Sequence, residues 1–256
     1  MSHKTTRLVY ISIHGIIVVV LAFGVGILWL GQLLPGKFDQ DYVSYLPATG
    51  LHLLLTLAGT ISALFLPMTS RNEIERDLMP PLFICMALTD IPIIIYLVSR
   101  GVLTLPCISC IARIAIFAVL FSGILMVYLG LFHLGINTGK IIPFAVLGAA
   151  GSLLISTTVP LSVARYPFEP SQWITNRQLI FVPLLFGILA IFNYIALYIR
   201  ERTKHIMFRA ISISLVIIGH LLYLHRAHPS MVWAGVVLFV LGTVVGIPRG
   251  RFSQLQ

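Results

Sequence analysis

Along the chain, apolar residues gather in long runs and polar residues in the short breaks between them. Eight runs approach the ~20 residues that a helix needs to cross a ~30 Å hydrocarbon layer. They lie at about 8–34, 46–68, 81–98, 105–134, 141–162, 179–199, 207–224 and 231–247. The breaks are rich in charge, Gly, Pro and Asn: "GKFDQD", "SRNEIERD", "SRG", "NTGK", "ARYPFEPSQWITNR", "RERTK" and "HRAHPS". The pattern predicts an all-α integral membrane protein of about eight transmembrane helices. The first run is too long for a signal-peptide core and no small-x-small cleavage site follows it, so it is expected to stay in the mature protein.

Composition strengthens this picture. With 58% hydrophobic and 10% charged residues, the 256-residue chain has too little polar surface to cover a water-soluble globule. The net charge of +9 does not indicate nucleic acid, because the basic residues are scattered through short loops without a patch. It serves instead to orient the spans. Lys4, Arg7, Arg71, Arg76, Lys140, Arg200, Arg202, Lys204, Arg209, Arg249 and Arg251 fall on one side. Only Lys37, Arg100, Arg165, Arg177 and Arg226 fall on the other. The positive-inside rule makes the richer side cytoplasmic, with both termini inside.

One segment carries candidate chemistry. "LTLPCISCIARIAIF" opens the fourth span from an outward-facing loop, on the side that is oxidising in bacteria. Thr104 is expected to cap the helix, and Pro106 is tolerated in a first turn because its missing N–H would have no intrahelical partner there. Cys107 and Cys110 then sit among unpaired N–H groups at the positive end of the helix dipole, where a thiolate is favoured. Arg113 follows one turn deeper. An arginine at depth costs at least ~2.5 kcal/mol and needs a partner. Asp90, a comparable distance along the preceding span, is the expected one, either as a structural ion pair or as part of a site.

Other readings of these residues exist. A C-x-x-C in an apolar chain can be packing alone. A zinc site needs two more ligands, and Cys85 lies near the opposite end of its span, so no metal site is expected. Covalent haem attachment is excluded because Ile111, not His, follows the second cysteine. Four further histidines fall within spans. His14 and His133 lie near the cytoplasmic ends, and His52 and His220 near the outer ends. Two such levels can hold two b-type haems; alternatively, each ring bonds interfacial water. A weak internal similarity between the runs beginning at Pro81 and Pro183 would, as an inverted repeat, put Asp90 and Asn193 near the centre of a transporter-like scaffold.

The segment "LPCISCIARIAIFAVL" resembles the stretch that opens the second helix of the DsbB proteins, where P-C-x-x-C-I is followed closely by Arg. The vitamin K epoxide reductase family carries a similar C-I-x-C-I. The resemblance implies a four-helix bundle at 81–200, formed by spans three to six and flanked by helix pairs at 1–80 and 201–256. It also implies a membrane thiol-disulfide oxidoreductase passing electrons between an extracytoplasmic thioredoxin-like partner and a quinone, in a bacterial inner membrane. Cys110 would face the quinone, Cys107 would be its disulfide partner, and Arg113 would stand beside the quinone oxygen, with Asp90 able to deliver protons. Two departures stand out: DsbB has one more residue between the second Cys and the Arg, and its second Cys pair has no counterpart in "ARYPFEPSQWITNR".

Overall fold

The computed structural model describes residues 3–31, 46–65, 70–94, 105–135, 141–162, 181–225 and 229–246. Thr104, Lys37, Arg100, Lys140, Arg165, Arg177, Arg226, Arg249 and Arg251 lie outside them. Among the described residues there are eight helices: α1 (His3–Gly31), α2 (Leu46–Leu64), α3 (Ser70–Leu88), α4 (Leu105–His133), α5 (Ile141–Thr158), α6 (Phe181–Glu201), α7 (Lys204–His225) and α8 (Pro229–Gly246). Six of them, all but α3 and α8, are long and apolar enough to cross a membrane, and α8 is a shorter apolar helix.

The chain threads up and down. Arg113 near the start of α4 reaches the end of α5, and Arg209 near the start of α7 meets Glu75 near the start of α3. The end where α4 begins is called the upper end below; α1 begins and α8 ends at the lower one. Neighbouring contacts run α2–α3–α4–α6–α7–α8 and close from α8 back to α2. Helix α1 packs outside this ring on α2 and α3, and α5 packs on α4. Helix α4 thus touches each of α3, α5 and α6. Of the six long apolar helices it is the most enclosed, with 61% of its apolar stretch buried against 22% for α5.

The outer surface is apolar. Leu8, Ile16, Val19 and Phe23 of α1, Ile142 and Leu147 of α5, and Leu185 and Phe192 of α6 are all more than half exposed. So large an exposed apolar belt is stable only against lipid. Helix α2 shows the reverse arrangement: its buried stripe holds Thr49, His52, Thr56 and Thr60 at helical spacing. Within lipid, burying apolar side chains supplies little drive for helix association, so close packing and interhelical hydrogen bonds take over. The α7–α8 hairpin illustrates this. A Cβ on Gly219 would lie 2.6 Å from Gly235 O, and one on Gly235 would lie 2.6 Å from Gly219 O and Tyr223 N. Two backbones therefore meet without side chains between them, and Ser212 Oγ donates to Gly242 O at 2.6 Å along the same seam.

Seven helices lie within a few residues of their expected bounds, whereas the third does not. The expected span 81–98 begins earlier, because residues 70–80 are helical and continuous with it. It also ends earlier, at Leu88. Pro92 has no N–H for the Leu88 carbonyl and its ring crowds that oxygen, so the helical ladder loses a bond there and, unlike at Pro80 and Pro81, is not resumed. The chain tightens instead into i→i−3 bonds, from Asp90 N to Ala87 O, Ile91 N to Leu88 O and Ile93 N to Asp90 O. The expected boundary between residues 80 and 81 falls inside α3. The repeat fails for a similar reason, since Pro81 lies mid-helix in α3 and Pro183 in the first turn of α6. Asp90 lies beyond the end of its helix, while Asn193 packs mid-helix against Gly130 of α4.

Candidate functional site

The upper end holds the cysteine pair. Cys107 and Cys110 are both exposed in the first turns of α4 and no disulfide joins them, so the disulfide expected between them is not formed in this structure. At i and i+3 on a helix their Cα atoms stand about 5 Å apart, inside the range that a disulfide spans. Ile108 and Ala112, which alternate with them, are buried against Ile91 and Leu161. The register that buries the isoleucine and alanine therefore turns the thiols outward.

Arg113 does not pair with Asp90. Its Nη1 donates to Ser156 O at 2.7 Å and to Thr157 O at 2.5 Å. The sequence of α5 explains the attraction. Pro160 cannot supply the N–H that the Ser156 carbonyl would receive in a continuing helix, and the last carbonyls of α5 carry the negative end of its dipole. A guanidinium meets both needs. The expected ion pair placed both residues at the correct end of the molecule, but the tightened turn at Pro92 sends the Asp90 carboxylate the other way.

That carboxylate enters a buried network between α2 and α7. Asp90 Oδ2 lies 2.8 Å from His52 Nδ1, and the Tyr223 hydroxyl donates to Asp90 Oδ1 at 2.5 Å. Thr49 Oγ1 is 3.2 Å from the same hydroxyl. On the other side of the His52 ring, Nε2 lies 3.4 Å from His220 Nδ1. The His52 ring stacks on Tyr223 with centroids 4.1 Å apart and meets the edge of Phe239. His52 and His220 are 0% exposed, and Asp90 and Tyr223 1%. The spacing His220-x-x-Tyr223 puts both side chains on one face of α7, a signal the sequence offered and that was not taken up.

The remaining histidines part company. His14 bonds Thr60 Oγ1 at 2.6 Å through Nδ1 and Thr56 Oγ1 at 3.3 Å through Nε2. Thr56 already donates to Leu53 O, so it accepts from the Nε2–H of a neutral ring, and Thr60 supplies the proton to Nδ1. His133 lies at the lower end, where its Nε2 is 3.3 Å from Glu75 Oε1. Arg209 pairs with Glu75 Oε2. These three are largely buried, and the hydroxyl of the fully buried Tyr194 beside them has no hydrogen-bond partner among the described residues. A cavity of ≈ 170 Å³ opens there, lined by His133, Glu201 and Arg209 among apolar residues. Of the four histidines named from sequence, the fold brings together only His52 and His220, in direct contact with each other rather than facing across a gap.

Glu75 and Arg209 were not expected as site residues, because Glu75 falls in the break "SRNEIERD", which reads as a loop, and Arg209 stands near the end of an apolar run, where a basic residue reads as a topology signal. Among the described residues no group of three or more His, Cys, Asp or Glu side chains has the arrangement of a metal site. Compared with known proteins, the chain matches no family model, and no curated protein or solved structure is significantly similar to it.

Proposed function

We propose that this chain is a membrane thiol-disulfide oxidoreductase whose working pair is Cys107 and Cys110. The observation that carries the reading is the exposure of both thiols in the first turns of α4, at disulfide distance, where unpaired N–H groups favour thiolate. On the charge count this end faces the extracytoplasmic side of a bacterial inner membrane, within reach of a thioredoxin-like partner. In the reaction, a partner thiolate attacks the Cys107–Cys110 disulfide, a mixed disulfide forms and resolves, and the partner leaves oxidised while both cysteines become thiols.

Reoxidation needs an acceptor of two electrons and two protons, and a membrane quinone has that chemistry. The residues present suit it. Arg113 lies one turn beyond Cys110, and its Nε and Nη2 make no hydrogen bond among the described residues, since only Nη1 is committed to α5. They are available to hold a carbonyl oxygen and stabilise charge developing on it. The short apolar face around Ile108 and Ala112 keeps the same turn anchored.

Two measurements test the reading. In intact cells, a membrane-impermeant maleimide is expected to label Cys107 and Cys110 only after reduction with an impermeant reductant. In membranes, Cys110→Ser is expected to abolish thiol-dependent quinone reduction. Equal labelling before and after reduction, or wild-type quinone reduction in both single serine variants, would leave the pair without a redox role.

A further inference from the structure

The lower end of the bundle, opposite the thiols and independent of their reading, holds polar atoms without partners beside open space. Glu75 Oε1 and His133 Nε2 lie 3.3 Å apart but outside hydrogen-bond geometry. Neither they nor the Tyr194 hydroxyl has a hydrogen-bond partner among the described residues. All three side chains are more than nine-tenths buried, and the His133 and Tyr194 ring centroids are 5.9 Å apart. Buried polar atoms that no protein group satisfies are ordinarily met by water or a ligand. The cavity of ≈ 170 Å³ beside them has His133 of α4, Glu201 of α6 and Arg209 of α7 in its wall. We propose that this cavity binds a small zwitterion, a molecule whose ammonium and anionic groups stand a few ångströms apart.

Size and charge narrow the ligand. A cavity of about 150 Å³ holds a molecule as large as benzene, so glycine or alanine fits. The charges around the cavity are already matched, Arg209 with Glu75 and Glu201 with Arg200 at 3.5 Å. A ligand of net charge would enter without a counterion, whereas a net-neutral one with separated charges needs none. Partners of both signs are present. Among the described residues only Nη2 of Arg209 is paired, so its other N–H groups and the Tyr194 hydroxyl supply donors for an anionic group. Glu75 Oε1 and the Glu201 carboxylate supply acceptors for ammonium N–H groups. His133 Nε2 serves either end, donating or accepting according to its tautomer.

The site is reachable from outside the bundle. The Glu201 side chain in its wall is 33% exposed, and the α6–α7 turn beside it ends one helix and starts the next at the lower face. Two sources carry the required chemistry there: a free α-amino acid from the aqueous phase, and the headgroup of an ethanolamine phospholipid. Both have ammonium N–H groups to give to Glu75 Oε1. A trimethylated nitrogen has none, which separates glycine from betaine and phosphatidylethanolamine from phosphatidylcholine.

The experiment uses the full chain and tests both sources. Glycine binding is titrated by saturation-transfer NMR on protein in phosphatidylcholine nanodiscs, with betaine, acetate and methylammonium as probes that lack the N–H donors or one of the charges. Headgroup binding is read by native mass spectrometry of protein released from nanodiscs of mixed phosphatidylethanolamine and phosphatidylcholine. Glycine bound at least about tenfold tighter than each of the other three probes assigns the site to a free solute. Preferential retention of phosphatidylethanolamine assigns it to a headgroup. In either case Tyr194→Phe, which keeps the ring and removes a hydroxyl with no partner among the described residues, should weaken binding about tenfold. Leu197→Phe, which fills the cavity from its wall, should remove binding. Failure of glycine to bind together with equal retention of the two lipids overturns the proposal. So does binding that Tyr194→Phe leaves unchanged, or betaine, acetate or methylammonium bound as tightly as glycine. If Leu197→Phe does not fold, Tyr194→Phe decides alone.

Discussion

Each end of the bundle buries a polar cluster, and the two are built on different principles. At the lower end a permanent cation, Arg209, neutralises Glu75, with His133 alongside. The upper end joins a carboxylate to two imidazoles, a phenol and a threonine, groups whose protons can be repositioned. Both clusters draw on the same two stretches of chain: Glu75 and Asp90 from α3 and the turn after it, Arg209 with His220 and Tyr223 from α7. The lesson is that burial alone does not define a functional site. The lower pair is held by opposite charge, whereas the upper cluster is held by a run of hydrogen bonds.

If this contrast holds, the largest stability loss belongs to the lower end. Arg209→Leu leaves Glu75 buried without its cation and should cost about 3–5 kcal/mol, with most of the loss recovered in the double variant Glu75→Leu, Arg209→Leu. Denaturant unfolding in mixed micelles measures both. A loss below about 1 kcal/mol would mean that water screens the pair, as it does at a surface, and the contrast would collapse.

A second variant separates the clusters spatially. Gly235→Val pushes a side chain into Gly219 O and Tyr223 N, so it should destabilise by about 2 kcal/mol through overpacking. Hydrogen exchange should quicken around residues 219–236 while protection near Glu75 and Arg209 persists. Asp90→Asn comes next. Its amide oxygen can still accept from His52 or Tyr223, so the expected loss is about 1–2 kcal/mol. A loss as large as that of Arg209→Leu would make the upper cluster a fixed ion pair too. The smallest effect is expected at Arg113→Gln, where α5 loses a cation at its dipole end, worth about 0.5–1 kcal/mol, with faster exchange confined to the last turn of α5.

Much of this architecture was legible in the sequence because lipid imposes one dominant rule: a spanning helix must be apolar over its length. Seven helices obey it and were found. The third breaks it, since "RNEIERD" reads as a loop by hydropathy. Its charges are tolerated in a helix because Glu75 finds Arg209, more than a hundred residues away, and no local pattern announces such a partner. Asp90 illustrates the same limit. The nearest cation across one hairpin was Arg113, whereas the actual partners come from α2 and α7. Which face Asp90 presents depended on Pro92, whose effect on the pitch was visible in the sequence but not its consequence for direction. Of the histidines, His52 and His220, placed at one level, do meet, whereas His14 and His133, placed at the other, find separate partners.

The length of α4 has a bearing on the thiols. Its 29 residues extend about 43 Å, some 13 Å more than a typical hydrocarbon layer is thick, while α8, with 18 residues and a length of about 27 Å, falls slightly short of that layer. The longer helix must tilt or protrude, and Cys107 and Cys110 lie at its tip. How far they stand above the headgroups is then set by bilayer thickness as well as by the protein. A thicker membrane would draw the pair toward the lipid, and a thinner one would present it to water, so that the acyl-chain length of the host membrane becomes a control on thiol reactivity.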